Sequence, residues 1–108
     1  MFFLLDYGEV DGMMILTKHQ AKKCLENDMS KNWTAKQIVS FQLYQDYLCM
    51  PFKRFHNCLD EVLGRPVKIH ELVFSQNLHD EFENKVGSMN FQEIKDLFSH
   101  EQLMLFRL

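Results

Sequence analysis

The sequence predicts a mainly α-helical fold, a compact bundle of five to six short helices. A short pair of β-strands near the N-terminus is an optional addition to this bundle. Four capping boxes support this class, because a Thr, Asn or Ser stands three residues before a Gln or Glu at Thr17–Gln20, Thr34–Gln37, Asn90–Glu93 and Ser99–Gln102. Apolar residues recur at helical intervals after these caps. The 108 residues are 46% apolar and 25% charged, so one domain over 1–108 can bury its own core.

The first sixteen residues are predicted to form a strand or a tail. An apolar run at 1–5 precedes a turn at Asp11-Gly12, and a second apolar run follows at 13–16. A start at Met13 or Met14 is an alternative, and it would make the first dozen residues an extension.

Two helices are predicted between residues 17 and 48. The first begins after Thr17, ends near Asn27, and has a narrow apolar face of Ala21, Cys24 and Leu25. The second runs from Ala35 to about Leu48, and its apolar residues nearly encircle it. Such a helix is either buried or covered by a second molecule.

The third helix has the most clearly defined end. Its apolar stripe consists of Phe52, Phe55, Leu59, Val62 and Leu63. Gly64 can adopt the left-handed conformation that ends a helix, and Pro66 cannot continue one. A further helix is expected to start at His70-Glu71.

Residues 75–108 form an acidic C-terminal segment of further helices. Leu78, Phe82 and Val86 define an amphipathic helix that Gly87 closes, and its outward face carries Asp80, Glu81 and Glu83. Two short helices are expected after Asn90 and Ser99.

The charge is unevenly distributed along the chain, although the net charge is only −3. Residues 17–68 carry nine Lys/Arg against five Asp/Glu, whereas residues 69–108 carry three against seven. We expect the two halves to neutralise each other within one compact domain. No apolar run approaches the ~18 residues of a membrane span. Three cysteines without a secretory signal indicate reduced thiols and a cytoplasmic protein.

The sequence predicts no catalytic, metal or cofactor site. The five histidines form no HExxH pattern, and His56 and Cys58 are two residues apart, which on a helix directs them to different sides. The cysteines lie on apolar helical faces or at a helix end, where a thiol is inert. A Gly-rich phosphate loop and a GxSxG motif are both missing from the sequence. We therefore expect a non-enzymatic protein.

An alternative interpretation is a small transcriptional regulator with a helix-turn-helix-like hairpin at 17–48. Phosphates would be contacted by Lys18, Lys22, Lys23, Lys31 and Lys36, and bases would be read by Gln37, Ser40 and Gln42. Against this, the connecting segment is longer than the usual tight turn and lacks its glycine. The second helix is also apolar and poor in Arg, so an ordinary core hairpin is favoured.

Arg65, His70 and Glu71 form the most suggestive polar group. Arg65 can reach Glu71, which in the first turn of a helix also interacts favourably with the helix dipole. The favoured interpretation is a structural corner in which Arg65 and His70 form hydrogen bonds across the Gly-Arg-Pro turn. Contact with a partner protein is the alternative.

The same corner resembles a small domain family common in phages and prophages. The resembling residues are Gly64-Arg65-Pro66-Val67, then His70-Glu71-Leu72, preceded by Pro51-Phe52 and Phe55-His56. Leu16-Thr17-Lys18 and Gln20-Ala21 fit the family's usual opening, whereas Lys68 and Ile69 stand where the family has an aromatic residue and Thr. The resemblance covers roughly residues 15–74, giving a family-like core at 17–74. It implies a phage context and no particular activity.

Composition and resemblance together favour a phage or prophage accessory protein that acts by protein-protein binding. We expect an inhibitor of a host defence nuclease, as anti-CRISPR proteins are, since ten Phe and seven Met suit a docking surface. The predicted partner-binding residues are Arg65, His70, Glu71, Asp80, Glu81 and Glu83, with the last three facing a basic nucleic-acid channel. A homodimer built on the second helix is a third option.

Overall fold

The computed structural model describes residues 8–10 and 13–107. Within them lie seven helices, α1 (Lys18–Glu26), α2 (Ala35–Gln42), α3 (Phe52–Leu63), α4 (Ile69–Val73), α5 (Gln76–Lys85), α6 (Phe91–Lys95) and α7 (His100–Leu105). Strands β1 (Gly8–Val10) and β2 (Met13–Ile15) pair antiparallel, with Glu9 opposite Met14. The predicted mainly α-helical class is confirmed, with more helices than expected. The predicted apolar run at 1–5 and the Asp11-Gly12 turn lie outside the described residues.

All four predicted capping boxes are present. At the start of α1 the Thr17 hydroxyl accepts from the Gln20 backbone N–H at 3.2 Å, and the Gln20 side chain accepts from the Thr17 N–H at 3.0 Å. The same exchange occurs at Thr34, Asn90 and Ser99. Because these bonds satisfy donors that the first helical turn leaves free, the four helix starts are fixed by local sequence.

Helix α2 ends at Gln42, not near Leu48 as predicted. The buried Gln42 side chain accepts from the Cys49 backbone N–H at 2.7 Å and donates to the Tyr47 carbonyl at 3.0 Å. Gln45 similarly donates to the Met14 carbonyl at 2.6 Å and accepts from the Leu16 N–H at 2.9 Å. The Gln42 amide thus satisfies backbone groups of Tyr47 and Cys49 in the loop, and the Gln45 amide connects the loop to the segment at Met14 and Leu16, so the chain leaves the helix after Leu43.

The turn after α3 has the predicted geometry. Gly64 has a φ of 71° and donates to the Asp60 carbonyl, which is the left-handed helix end that glycine favours. Gly87, two residues after α5, has a φ of 89° and donates to the Phe82 carbonyl. Between these two ends α4 stops at Val73 and α5 starts at Gln76, so a turn at Phe74-Ser75 separates the two helices.

The core lies mainly between α2 and α3, and α5 and α6 close it with Leu78, Phe82 and Ile94. At one end, edge-on aromatic contacts join four side chains, with ring centroids 5.1–5.5 Å apart: Trp33, Phe41, Phe98 and Phe106. Such contacts add to the stabilisation from apolar burial. None of the helices in the described ranges is long and apolar enough to cross a membrane.

Candidate functional site

Three of the predicted site residues, from three different segments, meet in one ionic cluster. Arg65 donates from Nε and Nη2 to the two Glu81 carboxylate oxygens at 3.0 and 2.7 Å. It also donates from Nη1 and Nη2 to Glu71 at 3.2 and 2.7 Å. One guanidinium therefore joins the turn after α3 to α4 and α5, through the planar paired geometry that arginine favours with carboxylates.

Lys85 extends this cluster on α5. Its Nζ lies 2.8 Å from Glu81 Oε2 and donates to the Leu63 carbonyl at the end of α3, at 3.2 Å. Hydrogen bonds from Arg65, followed by that from Lys85, lower the pKa of Glu81 to about 2. Hydrogen bonds from Arg65 and from the Lys68 backbone N–H lower the pKa of Glu71 to about 2. Both carboxylates are therefore charged and occupied by internal donors.

Two further side chains fix the extended segment after the turn. Asp60 Oδ1 accepts from the Val67 N–H at 2.8 Å, and His56 Nε2 lies 2.5 Å from the Val67 carbonyl. Since a carbonyl only accepts, His56 Nε2 carries the proton. The structural corner is thus present, with the predicted Arg65–Glu71 bond. The histidine bond across it, predicted for His70, comes instead from His56, because His70 points into solvent and has no hydrogen-bond partner among the described residues.

Glu83 and Asp80, the other two predicted carboxylates, lie on α5. Tyr44 Oη donates to Glu83 Oε2 at 2.5 Å, and the Ser88 N–H donates to Glu83 Oε1 at 3.2 Å. Burial opposes ionisation of Glu83, but the hydrogen bonds from Ser88 and Tyr44 outweigh it and lower its pKa. Burial, and then the bond to Glu83, raises the pKa of Tyr44. Asp80 is exposed and accepts from Gln76 at 3.1 Å.

The five lysines of the nucleic-acid alternative lie on α1, on the following loop and on the first turn of α2. Lys18, Lys22, Lys31 and Lys36 are exposed, and Lys22 lies 4.0 Å from Glu26. The residues predicted to read bases are placed differently. Ser40 and Gln42 are buried, and the Gln37 side chain is engaged in the α2 capping box. The prediction that Ser40 and Gln42 read bases is wrong, because their side chains face the core.

The three cysteines are free thiols on the helices and the 43–50 loop. Cys24 and Cys49 are buried, and a hydrogen bond with the Cys24 thiol, together with burial, raises the pKa of Cys49. Burial also raises the pKa of the half-buried Cys58. In the part of the chain that the structure describes, no group of three or more His, Cys, Asp or Glu side chains could hold a metal ion.

A group of exposed apolar side chains, not identified from the sequence, lies where the 43–50 loop meets α3 and α4. Phe74 is 81% exposed, Val73 is 69% exposed and Ile69 is 63% exposed. We call this group, with its neighbours in the loop and at the start of α3, the apolar surface: Tyr47, Leu48, Phe52, Ile69, Val73 and Phe74. Adjacent exposed apolar side chains of this size are characteristic of binding surfaces.

Three members of the apolar surface, Tyr47, Leu48 and Phe52, line a groove of about 200 Å³. Leu72 and Ser75 also belong to the lining, together with the polar side chains of Gln42 and Gln45. Val73 and Phe74 lie between Leu72 and Ser75 in sequence but are not among the lining residues. Asp46 is the one charged side chain in the lining, and it forms no ion pair among the described residues.

Residues 35–86 match a family described as a domain of unknown function (DUF7736). The match starts at α2 and runs through α5, so it contains the ionic cluster, the groove and the whole apolar surface. It starts later and ends later than the resemblance over residues 15–74. No curated protein and no solved structure matches the chain.

Proposed function

We propose that this chain is a non-enzymatic protein that binds another protein through the apolar surface. The observation that carries the proposal is the exposure of Phe74, Val73 and Ile69 beside a groove, in a chain whose other large apolar side chains mostly enter the core. Burial of one such side chain against a partner is worth about 1.5–3 kcal/mol. A few side chains of this kind supply most of the energy of a typical interface.

The ionic cluster supports this function by holding the apolar surface in place. Helix α4 has only five residues, too few to be stable alone, and none of them is buried. Arg65 attaches α4 to α5 and to the turn after α3 through Glu71 and Glu81. A rigid surface loses less conformational entropy when it binds. Arg65, Glu71 and Glu81 are therefore positioning residues in this proposal, while His70 and Asp80 remain available to a partner.

The biological setting that we propose is a phage or prophage accessory protein in the cytoplasm of its host. It rests on the resemblance of the Gly64–Leu72 segment, and an inhibitor of a host defence nuclease is its most specific form. In that form the apolar surface provides affinity, and the exposed Asp80 carboxylate on α5 provides electrostatic complementarity to a basic channel.

The experiment compares partners of matched variants. Tagged wild type, Phe74→Ser and Met104→Ser are isolated from phage-infected host cells, and co-purifying proteins are quantified by mass spectrometry. Met104 is also exposed and apolar but lies on α7, away from the groove. We expect wild type and Met104→Ser to enrich one partner at least ~10-fold more than Phe74→Ser does. A tenfold loss of affinity corresponds to about 1.4 kcal/mol of binding free energy. Equal recovery by all three, or no enriched partner, would contradict the proposal.

Nucleic-acid binding is the second candidate, favoured by the four exposed lysines on α1, its loop and α2. The affinity of binding through these lysines would fall as the salt concentration rises, with a slope set by the number of phosphates contacted. Fluorescence anisotropy with duplex DNA at 20–300 mM salt is the test, with Lys18→Gln/Lys36→Gln as the paired variant and Lys95→Gln as its control. A steep salt slope that the paired variant reduces would support this candidate. No binding at low salt would eliminate it.

A further inference from the structure

The polar groups that line the groove are of two kinds, occupied and free. The amides of Gln42 and Gln45 are occupied, because each donates to a backbone carbonyl and accepts from a backbone N–H. By contrast, the Asp46 carboxylate and the hydroxyls of Tyr47 and Ser75 form no hydrogen bond with another described residue. The groove therefore offers a partner one carboxylate and two hydroxyls.

The charge of the groove is not balanced from within. Asp46 is exposed, and the described lining residues include no Lys, Arg or His that could neutralise it. Three aromatic side chains share the lining with this carboxylate: Tyr47, Phe52 and Phe55. A carboxylate forms its strongest hydrogen bonds with a cationic donor, and the face of an aromatic ring also attracts a cation. The lining thus has the chemistry that recognises an organic cation.

We propose that the groove binds an arginine side chain of the partner protein, which deepens and rests on the proposed function. A guanidinium is planar, presents paired donors to a carboxylate and stacks on aromatic rings, and it is more weakly hydrated than the ammonium of lysine. It has fewer heavy atoms than benzene, which a cavity of ~150 Å³ accommodates, so the groove of about 200 Å³ has room for it. Asp46 pairs with the guanidinium in this complex, and Tyr47 and Phe52 contact its faces.

The position of the groove also predicts what stands beside the arginine in the partner. Tyr47, Leu48 and Phe52 belong both to the groove lining and to the apolar surface. An arginine in the groove therefore brings the neighbouring residues of the partner onto apolar side chains, where apolar neighbours are favoured. We expect an arginine flanked by apolar residues.

A peptide titration on the full chain tests the recognition of arginine. The probe is the tripeptide Leu-Arg-Leu, acetylated and amidated at its ends. The matched peptides carry citrulline, which has a neutral group of the same shape, or lysine in place of arginine. Chemical shifts of the backbone amides are followed to ~20 mM peptide, with an expected Kd of about 1–10 mM for Leu-Arg-Leu. We expect the citrulline peptide to bind at least ~5-fold more weakly, the lysine peptide to bind less tightly than Leu-Arg-Leu, and the shifts to centre on residues 46–52.

Two variants with the same substitution test whether Asp46 is the carboxylate involved. Asp46→Asn is expected to reduce the affinity for the arginine peptide to that for the citrulline peptide, while leaving the citrulline peptide unaffected. Asp96→Asn removes an equally exposed carboxylate on α6 that is not in the groove lining, and it should bind like wild type. The amide spectrum of each variant verifies its fold, since Asp46 forms no side-chain bond with a described residue that its loss would break.

The proposal is overturned if no peptide binds to ~20 mM, if the arginine and citrulline peptides bind equally, or if Asp46→Asn keeps the preference for arginine. Equal binding of the lysine and arginine peptides would overturn the assignment to arginine, and shifts centred away from residues 46–52 would overturn the assignment to the groove.

This inference and the proposed function fail in distinguishable ways when Asp46→Asn and Asp96→Asn join the co-purification experiment. If Phe74→Ser loses the partner but Asp46→Asn recovers it as Asp96→Asn does, the arginine contact is wrong and the proposed function stands. If the arginine peptide binds through Asp46 but Phe74→Ser recovers every partner, the groove site stands and the apolar surface is not where the partner binds.

Discussion

Arg65 and Glu81, sixteen residues apart in the chain, share two hydrogen bonds of 3.0 and 2.7 Å. Glu71 accepts two more from the same guanidinium. The Arg65 side chain is about one-third exposed, and the Glu71 and Glu81 side chains are less exposed. Solvent therefore screens the electrostatic attraction between them only partly. It connects the segments that carry Val73 and Phe74 to the rest of the fold.

Replacing Arg65 is expected to lower thermal stability and to loosen α4. Arg65→Ala leaves Glu71 and Glu81 close together without the cation between them, so it should lower Tm by more than Lys22→Ala, which removes only a surface pair at 4.0 Å. Hydrogen exchange of the α4 amides should also accelerate in Arg65→Ala alone. An equal Tm for the two variants would contradict the positioning role.

Stability should fall in acid because of the same cluster. The pKa of Glu71 and that of Glu81 are lowered in the fold from the ordinary 4.5 to about 2. Because the folded pKa of each carboxyl is lower than its unfolded pKa, ionisation stabilises the fold at pH values above the unfolded pKa. This stabilisation is lost as the pH falls from about 4.5 to about 2. Urea unfolding across this range measures the decline, which should be shallower in Arg65→Met. Parallel profiles for wild type and Arg65→Met would contradict the assignment.

The Gln42 side chain should be essential to the loop that carries Tyr47 and Leu48. Gln42→Ala leaves the buried Cys49 N–H without its acceptor, which costs about 1–3 kcal/mol. The control is Gln92→Ala, an exposed glutamine whose side chain donates to the exposed Asp96, and it should change stability by less than ~0.5 kcal/mol. Chemical denaturation compares the two. Similar small changes in both would show that the loop does not depend on Gln42.

A larger residue at Gly64 should lower the unfolding free energy only through the backbone conformation. A Cβ at this position would meet no heavy atom within 4 Å, but its φ of 71° is strained for other L-residues. Gly64→Ala should cost about 1 kcal/mol of unfolding free energy and Gly64→Asn less, because Asn adopts the left-handed region more readily. Equal costs for the two variants would argue against a backbone origin.

Local rules predicted the helix starts well and the extent of the loops poorly. Each capping box depends on two residues three positions apart, so Thr34 and Gln37 suffice to locate the start of α2. The end of α2 depends on long-range bonds instead, since Gln42 reaches Cys49 and Gln45 reaches Met14. Apolar periodicity does not detect such bonds, and it therefore extended α2 through Tyr47 and Leu48.

The candidate site was predictable only in its polar part. Arg65 and Glu71 are close in sequence and of opposite charge, which was enough to predict their contact, whereas the additional bond to Glu81 requires the packing of α5. The apolar surface was missed because an apolar run such as 72–74 looks the same whether it is buried or exposed. A detectable signal was its position between Pro66 and Ser75, in a segment too short to form a long amphipathic helix.

Site-specific photo-crosslinking tests most directly whether the apolar surface binds a protein. A benzophenone amino acid replaces Phe74 in one variant and Met104 in another, and both are irradiated in phage-infected host cells. We expect a crosslinked adduct containing a foreign protein at position 74 and little or none at position 104, with mass spectrometry separating it from an adduct of two copies of this chain. The absence of any foreign adduct at position 74, or equal adducts at both positions, would contradict it.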